Sequence, residues 1–88
     1  MLKSLEELIK TIREYNPKEN SYTNKLLADK KLSLDKVKEE IQELIESIEK
    51  DTNKIHEGAD VIYHLLVYLE ANEIKIEDII EELKKRKK

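Results

Sequence analysis

The sequence predicts an all-α protein: one domain over residues 1–88, built as an antiparallel bundle of four to five helices. Three observations predict it. The chain holds one Gly and one Pro, too few turn residues for a set of β-hairpins. Apolar residues recur at three- and four-residue spacing in successive segments. Charged residues reach 42% and hydrophobic ones only 39%, which suits helices with wide solvated faces. A chain of 88 residues covers little core alone, so oligomerisation is expected to add to it.

The elements follow in order. Ser4-Leu5-Glu6-Glu7 reads as a capping box, and Leu5, Leu8, Ile9 and Ile12 continue at helical spacing. Asn16-Pro17 ends this helix, because the residue before Pro avoids the helical region. Residues 16–22 read as a polar connection, and Thr23 to Asp29 as a short helix carrying Leu26 and Leu27. Ser33 is the expected N-cap of a long helix over about 34–50, with the stripe Leu34, Val37, Ile41, Leu44, Ile45 and Ile48. Asp51-Thr52-Asn53 breaks it, and Thr52 or Asn53 is expected to cap the next helix, about 54–71. That helix is apolar nearly all round, the pattern of a buried one. Ala71-Asn72-Glu73 turns into a last helix from about Glu77, which presents Ile79, Ile80 and Leu83 and frays into the tail 84–88. Short connections between long helices favour antiparallel neighbours.

The formal net charge is −3, which does not favour nucleic acid as a partner. Residues 84–88 are all Lys or Arg, so the body is acidic and the tail basic. The absence of Cys removes a disulfide scaffold, a cysteine zinc site and a cysteine nucleophile. No run is apolar enough for a membrane span, and the N-terminus lacks the pattern of a signal peptide. A cytoplasmic protein with no membrane partner is expected.

The chemistry concentrates on the helix over about 54–71. Glu57, Asp60 and His64 fall on one strip of an otherwise apolar helix, and no Lys or Arg occurs between Lys54 and Lys75. Buried carboxylates need a cation, either a side chain or a metal. The preceding helix offers a matching strip of Lys36, Glu40, Glu43 and Ser47, with Glu39 further round. Antiparallel packing would bring Glu40 and Glu43 opposite Glu57 and Asp60, each pair at i, i+3. Such an oxygen-rich set suits Mg²⁺ better than Zn²⁺, and His56 and His64 are too far apart in sequence for a zinc pair. Against this stands the ordinary fate of surface acids, a solvated face with salt bridges one turn apart. His64 alone reads as a hydrogen-bonded core residue, and Tyr63 and Tyr68 as core.

The spacing Glu39-Glu40-x-x-Glu43, thirteen residues, then Glu57-Gly58-Ala59-Asp60 resembles the EExxE…ExxD signature of the all-α nucleoside triphosphate pyrophosphatases. Ser21-Tyr22-Thr23-Asn24-Lys25-Leu26-Leu27 and Ala59-Asp60-Val61-Ile62-Tyr63-His64-Leu65-Leu66-Val67 narrow the resemblance to the phosphoribosyl-ATP pyrophosphatase family of histidine biosynthesis. The resemblance runs from Leu5 to Arg86. Lys38 stands where the family usually has Gly, Asp29-Lys30-Lys31 replaces a Gly after the KLL segment, and Gly58 keeps a small residue where helices could approach closely.

The resemblance implies Mg²⁺-dependent hydrolysis of phosphoribosyl-ATP to phosphoribosyl-AMP and pyrophosphate, in a homodimer of helical protomers. It implies Glu40, Glu43, Glu57 and Asp60 as metal ligands, and Glu39 as an auxiliary ligand or a group that orients water. Ser21, Thr23 and Lys25 resemble a segment that holds phosphate or ribose. Lys36 is expected either at phosphate or paired with Glu40, and Arg86 at substrate phosphates across a subunit boundary. His64 is expected behind the ligands, holding Asp60. Two other readings stay open: a pyrophosphatase of ordinary or damaged nucleoside triphosphates, and a non-catalytic helical dimerisation module.

Overall fold

The structure, a computed structural model, describes residues 7–11 and 22–86. The expected cap at Ser4, the break at Asn16-Pro17, most of the polar connection and Ser21 lie outside the described residues. All regular structure within them is helical: α1 at 7–11, α2 at Tyr22–Ala28, α3 at Lys30–Lys50, α4 at Lys54–Ala71 and α5 at Ile76–Arg86. No helix among the described residues is long and apolar enough to cross a membrane.

Helix α3 starts four residues before the sequence predicts. Its N-cap is Asp29, whose Oδ1 accepts the Leu32 N–H at 3.0 Å. Ser33 is instead an interior position, 1% exposed, with its hydroxyl unpartnered. Tyr22 belongs to α2 rather than to the connection before it.

A three-residue turn reverses the chain between α3 and α4. Asp51 takes the left-handed conformation that usually falls to Gly, and its N–H and that of Thr52 return to the Ile48 and Ser47 carbonyls at 3.3 and 2.9 Å. Asn53 is also left-handed and makes no side-chain cap bond, so the expected capping of α4 by its amide does not occur. So tight a turn leaves α3 and α4 antiparallel, and these two helices form the most extensive contact in the fold.

Leu26 of α2 and Leu66 and Val67 of α4 form the buried centre, with Leu8, Leu27, Leu32, Tyr63 and Ile76 packed against it. Helix α2 therefore covers one side of α4. The other side is left uncovered by the described residues of this single chain. Ile55, Ile62 and Leu65 of α4 are exposed, as are Ile41, Ile45 and Ile48 of α3. Each stripe lies one residue, about 100°, beyond the strip that faces the other helix, so in an antiparallel pair both fall on the same side. Gly58 shares that side, and a Cβ there would meet nothing within 4 Å, so within this chain no close helix approach requires it. Helix α5 places Glu77 and Asp78 in its first turn and Lys84, Lys85 and Arg86 in its last, which complements the helix dipole.

Candidate active site

The α3–α4 crevice gathers the carboxylates. Glu40 and Glu43 are one turn apart on α3, and the turn at 51–53 sets Glu57, in the first turn of α4, opposite them. One oxygen from each of Glu40, Glu43 and Glu57 lies within 4.8 Å of the others. Asp60 falls in an adjoining set, in which ligand atoms of His56, Glu57 and Asp60 meet the same limit. Glu57 is common to both, so the four acids form a continuous site with two possible centres.

Glu40 Oε2 and Glu57 Oε2 are buried and have no hydrogen-bond partner. Both carboxyls titrate above the ordinary glutamate value of 4.5. Burial is the first cause for each, followed by the neighbouring negative charge of Glu43, with Asp60 adding to it. No Lys or Arg pairs with either carboxylate among the described residues. Lys36 takes another partner: its Nζ binds Glu39 Oε2 at 3.2 Å, and this bond raises the lysine's pKa. Neither sequence-level expectation for Lys36 anticipated Glu39. Glu39 itself is exposed and stands outside both carboxylate sets.

A polar recess of about 190 Å³ opens beside the cluster, where Ser47, Lys50, Thr52 and Asn53 meet Glu43 and Glu57. Ser47 was on the strip read from the sequence, whereas Lys50, Thr52 and Asn53 were missed, because only the reversal at 51–53 brings them to the carboxylates.

On the other flank, α2 meets α4 through two hydroxyl bridges. Tyr22 OH lies 2.8 Å from His64 Nε2, and Thr23 Oγ1 bonds the Tyr63 hydroxyl. His64 is 6% exposed, and its Nδ1 donates to the Asp60 carbonyl oxygen at 2.7 Å. It thus meets Asp60 through the backbone, while the Asp60 carboxylate faces His56 Nε2 at 3.3 Å. The His56–Asp60 pair was legible as an i, i+4 spacing, and sequence reasoning passed over it. Burial raises the pKa of Tyr22, with the Lys36 charge opposing.

Lys25 is exposed on α2. Arg86 Nε reaches Glu82 Oε1 at 3.3 Å within α5 and belongs to neither carboxylate set.

The chain matches the phosphoribosyl-ATP pyrophosphohydrolase family over residues 2–87. It is 49% identical over 92 residues to a phosphoribosyl-ATP pyrophosphatase of Clostridium novyi, covering 96% of this chain and 81% of that protein. A protein of the same name from Halobacterium salinarum is 41% identical over 92 residues, covering 98% of this chain and 96% of its own length. The histidine biosynthesis bifunctional protein HisIE of Pyrococcus furiosus is 42% identical over 89 residues, which is all of this chain and 42% of that larger protein. With helices alone carrying the acidic crevice, and with similarity of this extent, the chain belongs to the phosphoribosyl-ATP pyrophosphohydrolase family.

Proposed function

We propose that the protein hydrolyses phosphoribosyl-ATP to phosphoribosyl-AMP and pyrophosphate in the α3–α4 crevice, with Mg²⁺ as cofactor. One observation carries the reading. Three carboxylates converge within 4.8 Å, and two of them keep a buried oxygen without a partner. Buried like charges without a cation are costly, and a hard divalent ion satisfies all of them together. Glu40, Glu43 and Glu57 would hold it, with Asp60 joining Glu57 beside them. The bound ion supplies neutralisation of phosphate charge and a more acidic water.

The protein's own residues supply the rest. The buried oxygens of Glu40 and Glu57 face inward, while the recess beside Glu43 and Glu57 leaves the site open to substrate and water. Glu39, oriented by Lys36, would accept a hydrogen bond from an attacking water. Lys25 and Lys36 are the cations proposed for substrate phosphates, and Ser21, Thr23 and Arg86 are the further proposed substrate contacts. The Thr23 hydroxyl would exchange or share its bond to Tyr63 to serve so.

The protein acts as a homodimer in this reading. Two exposed isoleucine-rich stripes on the side of α3 and α4 away from α2 support a second copy there. A cytoplasmic setting fits a biosynthetic hydrolase without cysteine.

The test is a side-by-side assay of pyrophosphate release from phosphoribosyl-ATP and from common nucleoside triphosphates. The reading expects preference for phosphoribosyl-ATP. Equal or better turnover of ordinary triphosphates would leave the carboxylate site and replace the substrate.

A further inference from the structure

Tyr22 stands outside every set of residues assigned above to metal or substrate, yet it joins α2 to α4 and lies within electrostatic reach of α3. It sits on α2, its hydroxyl bonds His64 of α4, and Lys36, Glu39 and Glu40 of α3 act on its phenol electrostatically. The direction of the bond is fixed by its neighbour. The Asp60 carbonyl only accepts, so His64 Nδ1 carries a proton. In the neutral ring Nε2 is then bare and accepts, and the phenol donates. The imidazole is further held between two aromatic edges. Its centroid is 5.7 Å from the Tyr22 ring at 74°, and 5.1 Å from the Tyr63 ring at 88°.

The chain Tyr22–His64–Asp60 therefore links the helix that carries Thr23 and Lys25 to the backbone of a carboxylate residue. The adjacent Thr23–Tyr63 bond repeats the link one residue on. Helix α2 is only seven residues long and makes few contacts with α3. Its placement against α4 draws on these two bridges and on the packing of Leu26 and Leu27.

We propose that Tyr22 is a positioning residue for the reaction: as a hydrogen-bond donor to His64, it sets the substrate-holding segment of α2 in register with the carboxylates of α3 and α4. The inference rests on the functional reading above and adds the device that aligns its two halves. Tyr22 contacts α4 through His64 and a backbone carbonyl, so it acts on substrate placement and leaves the carboxylate oxygens alone.

The experiment uses the full chain and Tyr22→Phe, which keeps the ring and removes only the hydroxyl. Steady-state kinetics with phosphoribosyl-ATP should give a KM raised about three- to tenfold, the size of one hydrogen bond, with kcat within about twofold of the parent. Mg²⁺ affinity by calorimetry should be unchanged. Combining Tyr22→Phe with His64→Gln should raise KM no further than the larger single change, because both remove one link. Nitrogen NMR of the imidazole should show Nδ1 protonated and Nε2 bare, with the Nε2 signal moving in Tyr22→Phe. An unchanged KM, a parallel loss of Mg²⁺ affinity, or effects that multiply in the double variant would each overturn the role. The two possible failures are distinguishable. Absence of turnover in the parent removes the functional reading, whereas an Nε2 signal indifferent to Tyr22→Phe removes the bridge whatever the turnover.

Discussion

Glu40 of α3 and Glu57 of α4 face each other across the crevice with carboxylate oxygens within 4.8 Å, and each keeps a buried oxygen without a partner. Two like charges placed so closely oppose the metal-free fold. Their arrangement has a measurable signature in the pH dependence of stability.

Both pKa values are raised in the folded state, chiefly by burial and then by Glu43. The folded protein therefore takes up protons at higher pH than the unfolded chain. The resulting stabilisation is fully present below the ordinary value of 4.5 and is lost as pH rises through the folded values. In chelator, Glu40→Gln should melt above the parent at neutral pH, and the difference should close as pH falls toward 4.5. Excess Mg²⁺ at neutral pH should reverse the order, since it stabilises only the carboxylate form. Thermal melts across this range decide it, and a pH-independent difference would contradict the like-charge account.

Ile45 and Ile62 mark the two exposed stripes on one side of the helix pair. The double change Ile45→Glu with Ile62→Glu should convert a dimer to monomers in sedimentation while leaving the single-chain core, on the far side of α4, intact. A parent protein that sediments as a monomer would remove the dimer from the account.

Asp29 supplies the side-chain bond to Leu32 N–H at the start of α3. Asp29→Ala should cost about 0.5–2 kcal/mol in chemical denaturation, and Asp29→Ser much less. Leu26, with no exposed surface, should cost about 2–5 kcal/mol when cut to Ala. A cost at Leu26 below that at Asp29 would mean that α2 is not anchored in the core.

The order of the helices and the facing carboxylates were legible because both follow from short-range spacing. Glu40 and Glu43 at i, i+3, and a three-residue turn before Glu57, leave little freedom in how the acids meet. The start of α3 was not legible. Ser33 is a favoured N-cap type and reads as the beginning, while Lys30 and Lys31 in a first turn oppose the helix dipole. The cap bond from Asp29 and the packing of Leu32 against the core outweigh those charges, which are exposed and cheaply solvated. The Tyr22–His64 bond spans 42 positions and depends on how α2 crosses α4, which no local pattern encodes. The one available signal was the polar ring of His64 within an apolar stretch, since a buried imidazole needs two partners. The uncovered side of α4 is a related case: an apolar surface specifies burial without naming which chain provides it.

The central claim is that the crevice acids bind Mg²⁺ and thereby cleave phosphoribosyl-ATP. The most direct measurement is pyrophosphate release from phosphoribosyl-ATP by the parent protein and by Asp60→Ala, each with Mg²⁺ and with chelator. The account predicts turnover that requires Mg²⁺ and falls more than about 100-fold in Asp60→Ala, beyond the 10–100-fold usual for an outer partner of a metal ligand. Turnover that persists in chelator, or an Asp60→Ala protein as active as the parent, would contradict it.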